Sequence, residues 1–335
     1  MQQMQILSGD IGGTKTRIAL IELHDRGVEV RGEKTYRSSD YKTLEQLLGD
    51  FLAGIDPIPR HAGFGVAGPV RENRSVTTNL PWIIDANEIS RQFQVPDTFL
   101  LNDLEATAWG IKVMGGADIC ELHPGTPDPL GNLGIIAAGT GLGEAGVFRG
   151  HGAFQPFAAE GGHADFAPTT ELEFALLQYL SQRLGHVSWE RIVSGMGIAN
   201  IYQFLCHYKS VEIPGWLAAE IEQDDAAAAV SRAAEAGRCA LCEKAMNLFV
   251  RLYGREAGNH ALKVMATGGV YIGGGIAPKI LERLKEPAFL ENFFAKGRME
   301  PLMRNMPVRI ILNDRAALFG PAVAARDRIA EGAFA

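Results

Sequence analysis

Three short stretches of this 335-residue chain pair side chains that can exchange protons or hold hydroxyl groups. The first is Phe99-Leu-Leu-Asn102-Asp103-Leu-Glu-Ala, with two polar residues at the carboxyl end of a buried apolar run, just where a helical pattern begins. Ligands collect at such strand ends in α/β sheets. Asp103 has two readings there: a cap on the following helix, or a carboxylate that accepts a hydroxyl proton in phosphoryl transfer. The second stretch is Glu160-Gly-Gly-His163-Ala-Asp165, a carboxylate and an imidazole three residues apart across two glycines. Glycine brings backbone close, while Glu and His supply acceptors and a donor, which suits a polyhydroxylated ligand such as a sugar. A zinc site needs a third ligand, and the stretch that follows offers no clustered cysteine and only His186. The third is Val187-Ser-Trp-Glu190-Arg-Ile, whose acid follows Ser188 closely enough to be a first-turn charge favoured by a helix dipole.

Glycine is the compositional anomaly: 39 of the 335 residues, against a usual ~7%. Many of them cluster in turns. Gly9-Asp10-Ile11-Gly12-Gly13-Thr14 and Gly139-Thr140-Gly141-Leu-Gly143 read as hairpin turns, where the absence of Cβ lets backbone amides approach phosphate oxygens. Gly273-Gly274-Gly275 follows a strand and leads into Ile276-Ala-Pro278, a surface on which a flat base or ribose can rest. Taken one at a time, each is equally a plain tight turn. Asp10 can hold a magnesium ion through its waters, because hard cations prefer oxygen ligands. Two G-x-G-x-x-G matches, Gly63 to Gly68 and Gly141 to Gly146, run into Pro69-Val-Arg and Val147-Phe-Arg instead of opening a helix, so no dinucleotide fold is expected. The Walker A pattern fails because Thr14 stands where its second glycine belongs. Cys239-Ala-Leu-Cys242 falls inside an alanine-rich helical stretch and reads as packing.

The elements that must position these residues follow from periodicity. Residues 5–9 and 16–23 predict a strand hairpin and 27–33 a third strand, followed by a helix over 41–54 and a strand over 61–66. Asp85 to Phe93 predicts a helix, Thr98 to Leu101 a strand, and Leu104 to Met114 a helix. The pattern restarts with a strand over 133–137, a glycine loop, a strand over 146–149 and a turn at Gly150-His151-Gly152, a weak internal duplication of the opening hairpin. A helix over 172–184 is announced by Thr170 and Glu173 at capping-box spacing. A single long helix is expected over 225–253, then strands over 268–272 and 308–312 and a closing helix over 316–329. Strands alternating with helices imply mixed sheets with helical cover.

Composition narrows the partners. Asp+Glu outnumber Lys+Arg by 39 to 32, a net charge of -7, which repels a polyphosphate backbone, so no nucleic-acid partner is expected. No stretch reaches the ~18–20 apolar residues of a membrane span, and Met1 to Gly9 lacks a secretory leader. Four cysteines are too few for a disulfide framework in a chain this long. The expected location is the cytoplasm. The least regular crossings divide the chain into a small α/β domain, 1–114 plus 304–335, and a large α/β domain, 115–303.

Together, Gly9-Asp-Ile-Gly-Gly-Thr14, Asn79-Leu-Pro-Trp82, Leu101-Asn-Asp103, Ala138-Gly-Thr-Gly-Leu-Gly143, Glu160-Gly-Gly-His-Ala-Asp-Phe-Ala-Pro168, His186-Val-Ser-Trp-Glu-Arg191, Ser194-Gly-Met-Gly197 and Gly268 to Pro278 resemble the bacterial glucokinase family, of the actin, hexokinase and Hsp70 ATPase superfamily. The resemblance spans nearly the whole chain, and the Glu160 to Pro168 block is its most specific part. It implies two actin-like (ribonuclease H-like) α/β domains, mixed sheets flanked by helices, and an active site in the cleft between them. It further implies ATP-dependent phosphorylation of glucose at the 6-hydroxyl, with ATP and Mg²⁺ as cofactors, in a homodimer. By the same resemblance Asp103 is the catalytic base, and Asn102, Asp103, Glu160, His163 and Glu190 bind the sugar. Gly9, Asp10, Ile11, Gly12, Gly13, Thr14, Gly139, Thr140, Gly141, Gly274 and Gly275 fall to the nucleotide, Gly161 and Gly162 to the sugar loop, and Gly63 to Gly68 to the wall of the sugar cleft. A related group, the ROK kinases and repressors, carries a Cys-x-Cys-Gly zinc motif where this chain has Asp165-Phe-Ala-Pro168, so no structural zinc is expected. A ROK-like kinase of another hexose or amino sugar is the alternative activity. A sugar-sensing transcriptional regulator on the same scaffold would need a DNA-binding module ahead of the first strand, which begins about five residues in.

Overall fold

Four consecutive residues of the first strand, Ile6 to Gly9, are buried, so both of the faces onto which successive strand residues point are covered. In the computed structural model, which describes residues 4–24, 27–77, 80–150 and 153–330, β1 (Met4–Ile11), β2 (Lys15–His24) and β3 (Gly27–Arg37) form an antiparallel meander. After α1 (Leu44–Leu52) the chain adds β4 (His61–Val66), then three short strands β5 (Val70–Arg71), β6 (Arg74–Val76) and β7 (Ile83–Asp85), which make a small sheet of their own. Helix α2 (Ala86–Phe93), β8 (Asp97–Asn102) and α3 (Asp103–Gly110) follow. Strands β4 and β8 join in parallel, giving the order β3-β2-β1-β4-β8.

The chain divides into two compact units, Met1–Asp118 with Pro156–Ala158 and Asn313–Ala335, and Ile119–Gln155 with Ala159–Leu312. The second part of the chain carries β9 (Ile119–His123), β10 (Leu133–Ala138), β11 (Leu142–Phe148) and β12 (Gln155–Ala159). Helices α4 (Glu171–Leu184), α5 (Gly195–Lys209), α6 (Gly215–Gln223), α7 (Ala226–Glu235) and α8 (Ala240–Val264) come next. Then β13 (Gly269–Gly273), α9 (Leu281–Lys285), α10 (Pro287–Phe294), α11 (Glu300–Asn305) and β14 (Val308–Ile311) complete a sheet of order β12-β11-β10-β13-β14-β9. The last helix, α12 (Ala316–Ala330), belongs to the first unit. Each of the two large sheets contains a glycine hairpin whose first strand also pairs in parallel with a later one, β1 with β2 and β4, β10 with β11 and β13. The duplication read from the two hairpins is therefore a duplication of sheet topology.

The period-2 alternation is explicit in the first unit. Leu7, Ile18 and Leu20 pack with α1 and α2, whereas Ile6, Ala19 and Ile21 pack with Leu318, Phe319 and Ala322 of α12. Helix α12 lies close because glycines give it room: a Cβ at Gly320 would fall 1.7 Å from the Ala106 carbonyl oxygen, and one at Gly110 would fall 2.1 Å from that of Ala316. Gly63 and Gly65 serve the same end, since Cβ atoms there would strike Phe99, Pro321 and Ala106. The dinucleotide-like run from Gly63 is thus strand β4 packed under helices, which accounts for these two glycines without a sugar wall.

Three other expectations change. The segment from Gly141 to Gly146 is not a loop: the turn is only three residues and β11 starts at Leu142. The long helix expected over 225–253 is two helices, broken at Gly237, which takes a left-handed φ of 65°. Cys239 accordingly caps the start of α8, its Sγ accepting from the Cys242 amide at 3.3 Å, and only Cys242 is fully buried. Helix α3 is shorter than its pattern and ends in a 3-10 turn over Ile111–Val113. Strands β5 to β7, β9 and β12 and helices α5, α6 and α9 to α11 were not expected. Pro156 disguises β12, tolerable because β12 is an edge strand. The turn residues His151 and Gly152, and Asn79 of the Asn79-Leu-Pro-Trp82 motif, lie outside the described residues.

Candidate active site

In the first unit, Asn102 and Asp103 stand at the end of β8 where α3 begins. The cap belongs to Asn102, not Asp103. Asn102 Oδ1 accepts from the amides of Leu104 at 2.9 Å and Glu105 at 3.4 Å, and Glu105 Oε2 accepts from the Asn102 amide at 3.1 Å, a reciprocal capping box. The Asn102 Nδ2 group donates to the Gly68 carbonyl at 3.1 Å, so the buried side chain is fixed from both ends. Asp103 sits one residue into the helix, partly exposed, with Oδ1 3.0 Å from the Leu104 amide. A carboxylate in a first helical turn is stabilised by the unpaired amides and the dipole.

The hairpin Gly12 to Lys15 is closed by a bond from the Gly12 amide to the Lys15 carbonyl at 3.0 Å. Ser38, buried and distant in sequence, holds it from below: its Oγ donates to the Gly12 carbonyl at 2.8 Å and its amide to Thr14 O at 3.0 Å. The amides of Gly13 and Thr14 make no bond among the described residues, as a phosphate-facing turn requires. Gly9, Asp10 and Ile11 lie within β1, and a Cβ at Gly9 would strike Phe64 and Ile18, so packing accounts for Gly9. Asp10 faces Arg17 across the strand pair, and Arg17 donates to Asp314 Oδ2 at 2.8 Å. Burial pushes the Asp10 carboxyl up from its usual 3.8 to about 6, against the pull of Arg17.

In the second unit two glycine turns share one end of the sheet, because β10 and β13 run in parallel with Ala137 opposite Gly273. The buried Tyr253 hydroxyl ties their ends together, accepting from the Ala138 amide and donating to the Gly273 carbonyl, each at 3.3 Å. The Gly139 carbonyl is held by the Gly195 amide at 2.8 Å, where Ser194 caps α5. A Cβ at Gly139 or Gly275 would meet nothing within 4 Å, whereas one at Gly274, which has a φ of 82°, would fall 2.2 Å from Ala138 O. Gly274 is needed for the turn itself; Gly139 and Gly275 present bare backbone to open space.

The blocks around Glu160 and Glu190 are zipped together. Phe166 N donates to Val187 O and Trp189 N to Ala164 O, both at 2.9 Å, while Phe166 and Trp189 stack edge to face with ring centres 5.1 Å apart. Asp165 pairs with His186 at 2.8 Å. Glu190 does not cap its own short turn. Its Oε2 accepts from the Leu142 amide at 3.1 Å, beside Gly141. Glu160 precedes and His163 ends a 3-10 turn over Gly161–His163, both exposed, with Oε2 and Nε2 3.9 Å apart. The turn rests on β11: a Cβ at Gly162 would be 2.1 Å from Leu142 O. The structure therefore gathers Glu160, His163 and Glu190 on the start of β11 in the second unit, while Asn102 and Asp103 belong to the first. Sequence patterns missed Ser38 and Tyr253, which carry no local signal because their partners are 20 or more residues away.

The model of a protein family described as Glucokinase matches residues 7–328. The chain belongs to the glucokinase family. The glucokinase of Nostoc punctiforme is 42% identical over 335 residues, covering 96% of this chain and 98% of that one. Among solved structures, a glucokinase from an Antarctic psychrotroph superposes with a TM-score of 0.85 at 31% identity, covering 96% of this chain and 99% of that one. A ROK family glucokinase from Streptomyces griseus, solved with glucose and AMPPNP, matches with a TM-score of 0.65 at 19% identity over 96% of this chain and 99% of that one, a likeness of fold. As a member of the glucokinase family the chain is an enzyme, a sugar-phosphorylating transferase with the actin-like α/β fold.

Proposed function

We propose that Asp103 is the base through which this chain carries out its family's reaction. The activity is ATP-dependent phosphorylation of glucose, giving glucose 6-phosphate and ADP. The observation that carries the role of Asp103 is the capping box: Asn102 and Glu105 satisfy the start of α3, so an acid is not required at position 103 to begin the helix. Asp103 orients the 6-hydroxyl and accepts its proton as the new phosphate ester bond forms and the bond to the leaving ADP breaks. Asn102, Glu160, His163 and Glu190 hold the remaining sugar hydroxyls, acceptors and donors placed on rigid strand ends and turns.

The nucleotide is received by backbone. Gly13 and Thr14 offer amides to phosphate oxygens, as do Thr140 and Gly141, while the Gly12 and Gly139 amides close these two turns on the Lys15 and Gly141 carbonyls; Gly274 and Gly275 give the base or ribose a flat seat, and Gly9 and Ile11 hold the first turn in register. Asp10 suits a divalent cation, since a carboxyl whose charge is costly to bury gains from a neighbouring positive ion. It would hold Mg²⁺ through water, and the ion supplies neutralisation of phosphate charge. The proposal draws on residues of both units. It also includes a cytoplasmic homodimer that binds neither membrane nor nucleic acid; among the described residues no helix is long and apolar enough to cross a membrane.

Asp103→Asn should fold, bind glucose and lose about 10²–10⁴-fold in kcat, read by coupled ADP release with a panel of hexoses and isothermal titration of glucose. A kcat close to wild type removes Asp103 as the base. ADP release that ignores every sugar defeats the kinase reading.

A further inference from the structure

Directly beneath the Glu160 to His163 turn lies a buried carboxyl–imidazole pair that the reaction itself does not use. Glu144 on β11 and His260 on α8 are each 2% exposed. His260 Nε2 lies 2.8 Å from the Ala145 carbonyl oxygen. A carbonyl only accepts, so Nε2 carries hydrogen. The other ring nitrogen, Nδ1, is 3.1 Å from Glu144 Oε2. Two bare acceptors at that separation repel, so a proton lies in this contact too, and the pair is locked at both ends of the imidazole.

The locked oxygen is also the floor of the loop. A Cβ at Gly161 would sit 1.8 Å from Glu144 Oε2 and 2.7 Å from its Cδ. Gly161 can be only glycine while that carboxylate stays where His260 holds it. Glu144 Oε1 has no hydrogen-bond partner among the described residues, which is a cost for a buried carboxylate oxygen. Packing alone would be served more cheaply by an apolar side chain.

We propose that the Glu144–His260 pair is a positioning element that sets the height of the Glu160 to His163 turn and so aims Glu160 and His163. The inference rests on the reading of those two residues as glucose ligands. Neither Glu144 nor His260 touches substrate in this account; both act through Gly161.

The test is a double-mutant cycle in the full-length enzyme. Gly161→Ala alone collides with the carboxylate and should raise KM for glucose about tenfold or more, with KM for ATP unchanged. Glu144→Asp withdraws the carboxylate by one methylene while keeping its charge, and should loosen the turn and raise the same KM. Combined, the added methyl occupies the vacated space, so the double variant should bind glucose better than Gly161→Ala alone. His260→Gln, which releases the carboxylate, should relieve the Gly161→Ala defect in the same way. Additive effects in KM, or KM for glucose and ATP rising together, overturn the positioning role. A wild-type enzyme that neither binds nor phosphorylates glucose instead overturns the reading of the site on which it rests.

Discussion

Asp10 shows how one residue can report on the site without any ligand. Its carboxyl is held near 6 by burial, above the usual 3.8. Between those two values the folded chain binds more protons than the unfolded one, so stability falls as pH rises through that window and stays lower above it. Asp10→Asn should flatten that slope and be the more stable protein at pH 7, by at most about 3 kcal/mol. Urea unfolding of both proteins from pH 4 to 7, without metal or nucleotide, measures this; a wild type with no greater slope than the variant contradicts the buried charge. Asn102 and Asp103 were both legible in the sequence as polar residues at a strand end. Which of them caps the helix was not, because the answer depends on the Gly68 carbonyl, 34 residues away, that fixes the Asn102 amide.

At the scale of elements, most strands and helices follow from apolar period, and the Thr170 and Glu173 capping box is present as its spacing implied. One exception is the alanine-rich stretch from Asp225. Alanine has high helix propensity on either side of Gly237, so the local pattern reads straight through. The break is decided by packing, with α7 and α8 both laid against α5 in one core. The two arrangements predict opposite signs for Gly237→Ala. In a continuous helix the change stabilises by about 0.5–1 kcal/mol; at a φ of 65° with open space around it, it destabilises by about 1–2 kcal/mol. Equilibrium urea unfolding with an unchanged m-value distinguishes them, and a raised midpoint counts against the break.

For the molecule as a whole, the first unit is assembled from both ends of the chain: β1 to β8 at the start and α12 at the finish. Its closure depends on backbone meeting backbone at Gly110 and Gly320. Neither neighbour is a flexible side chain that can swing away, so Gly320→Ala should force α12 off α3 and cost about 1–3 kcal/mol. Hydrogen exchange should show the loss of protection concentrated in the first unit, with β10, β13 and α8 of the second unit little changed; uniform loss across both units contradicts this assignment.

The sequence by itself determined the two glycine hairpins and the identity of the family, because glycine and apolar period act over a few residues and the motif blocks are contiguous. It also supplied every candidate ligand. Only the tertiary structure decided what each glycine is for. Gly9, Gly63 and Gly65 make room for core side chains and helices, Gly161 for a buried carboxylate, and Gly139 and Gly275 for nothing in the protein at all. That distinction rests on atoms brought together from distant parts of the chain. A missing Cβ looks the same in sequence whether packing, a turn or a ligand requires it.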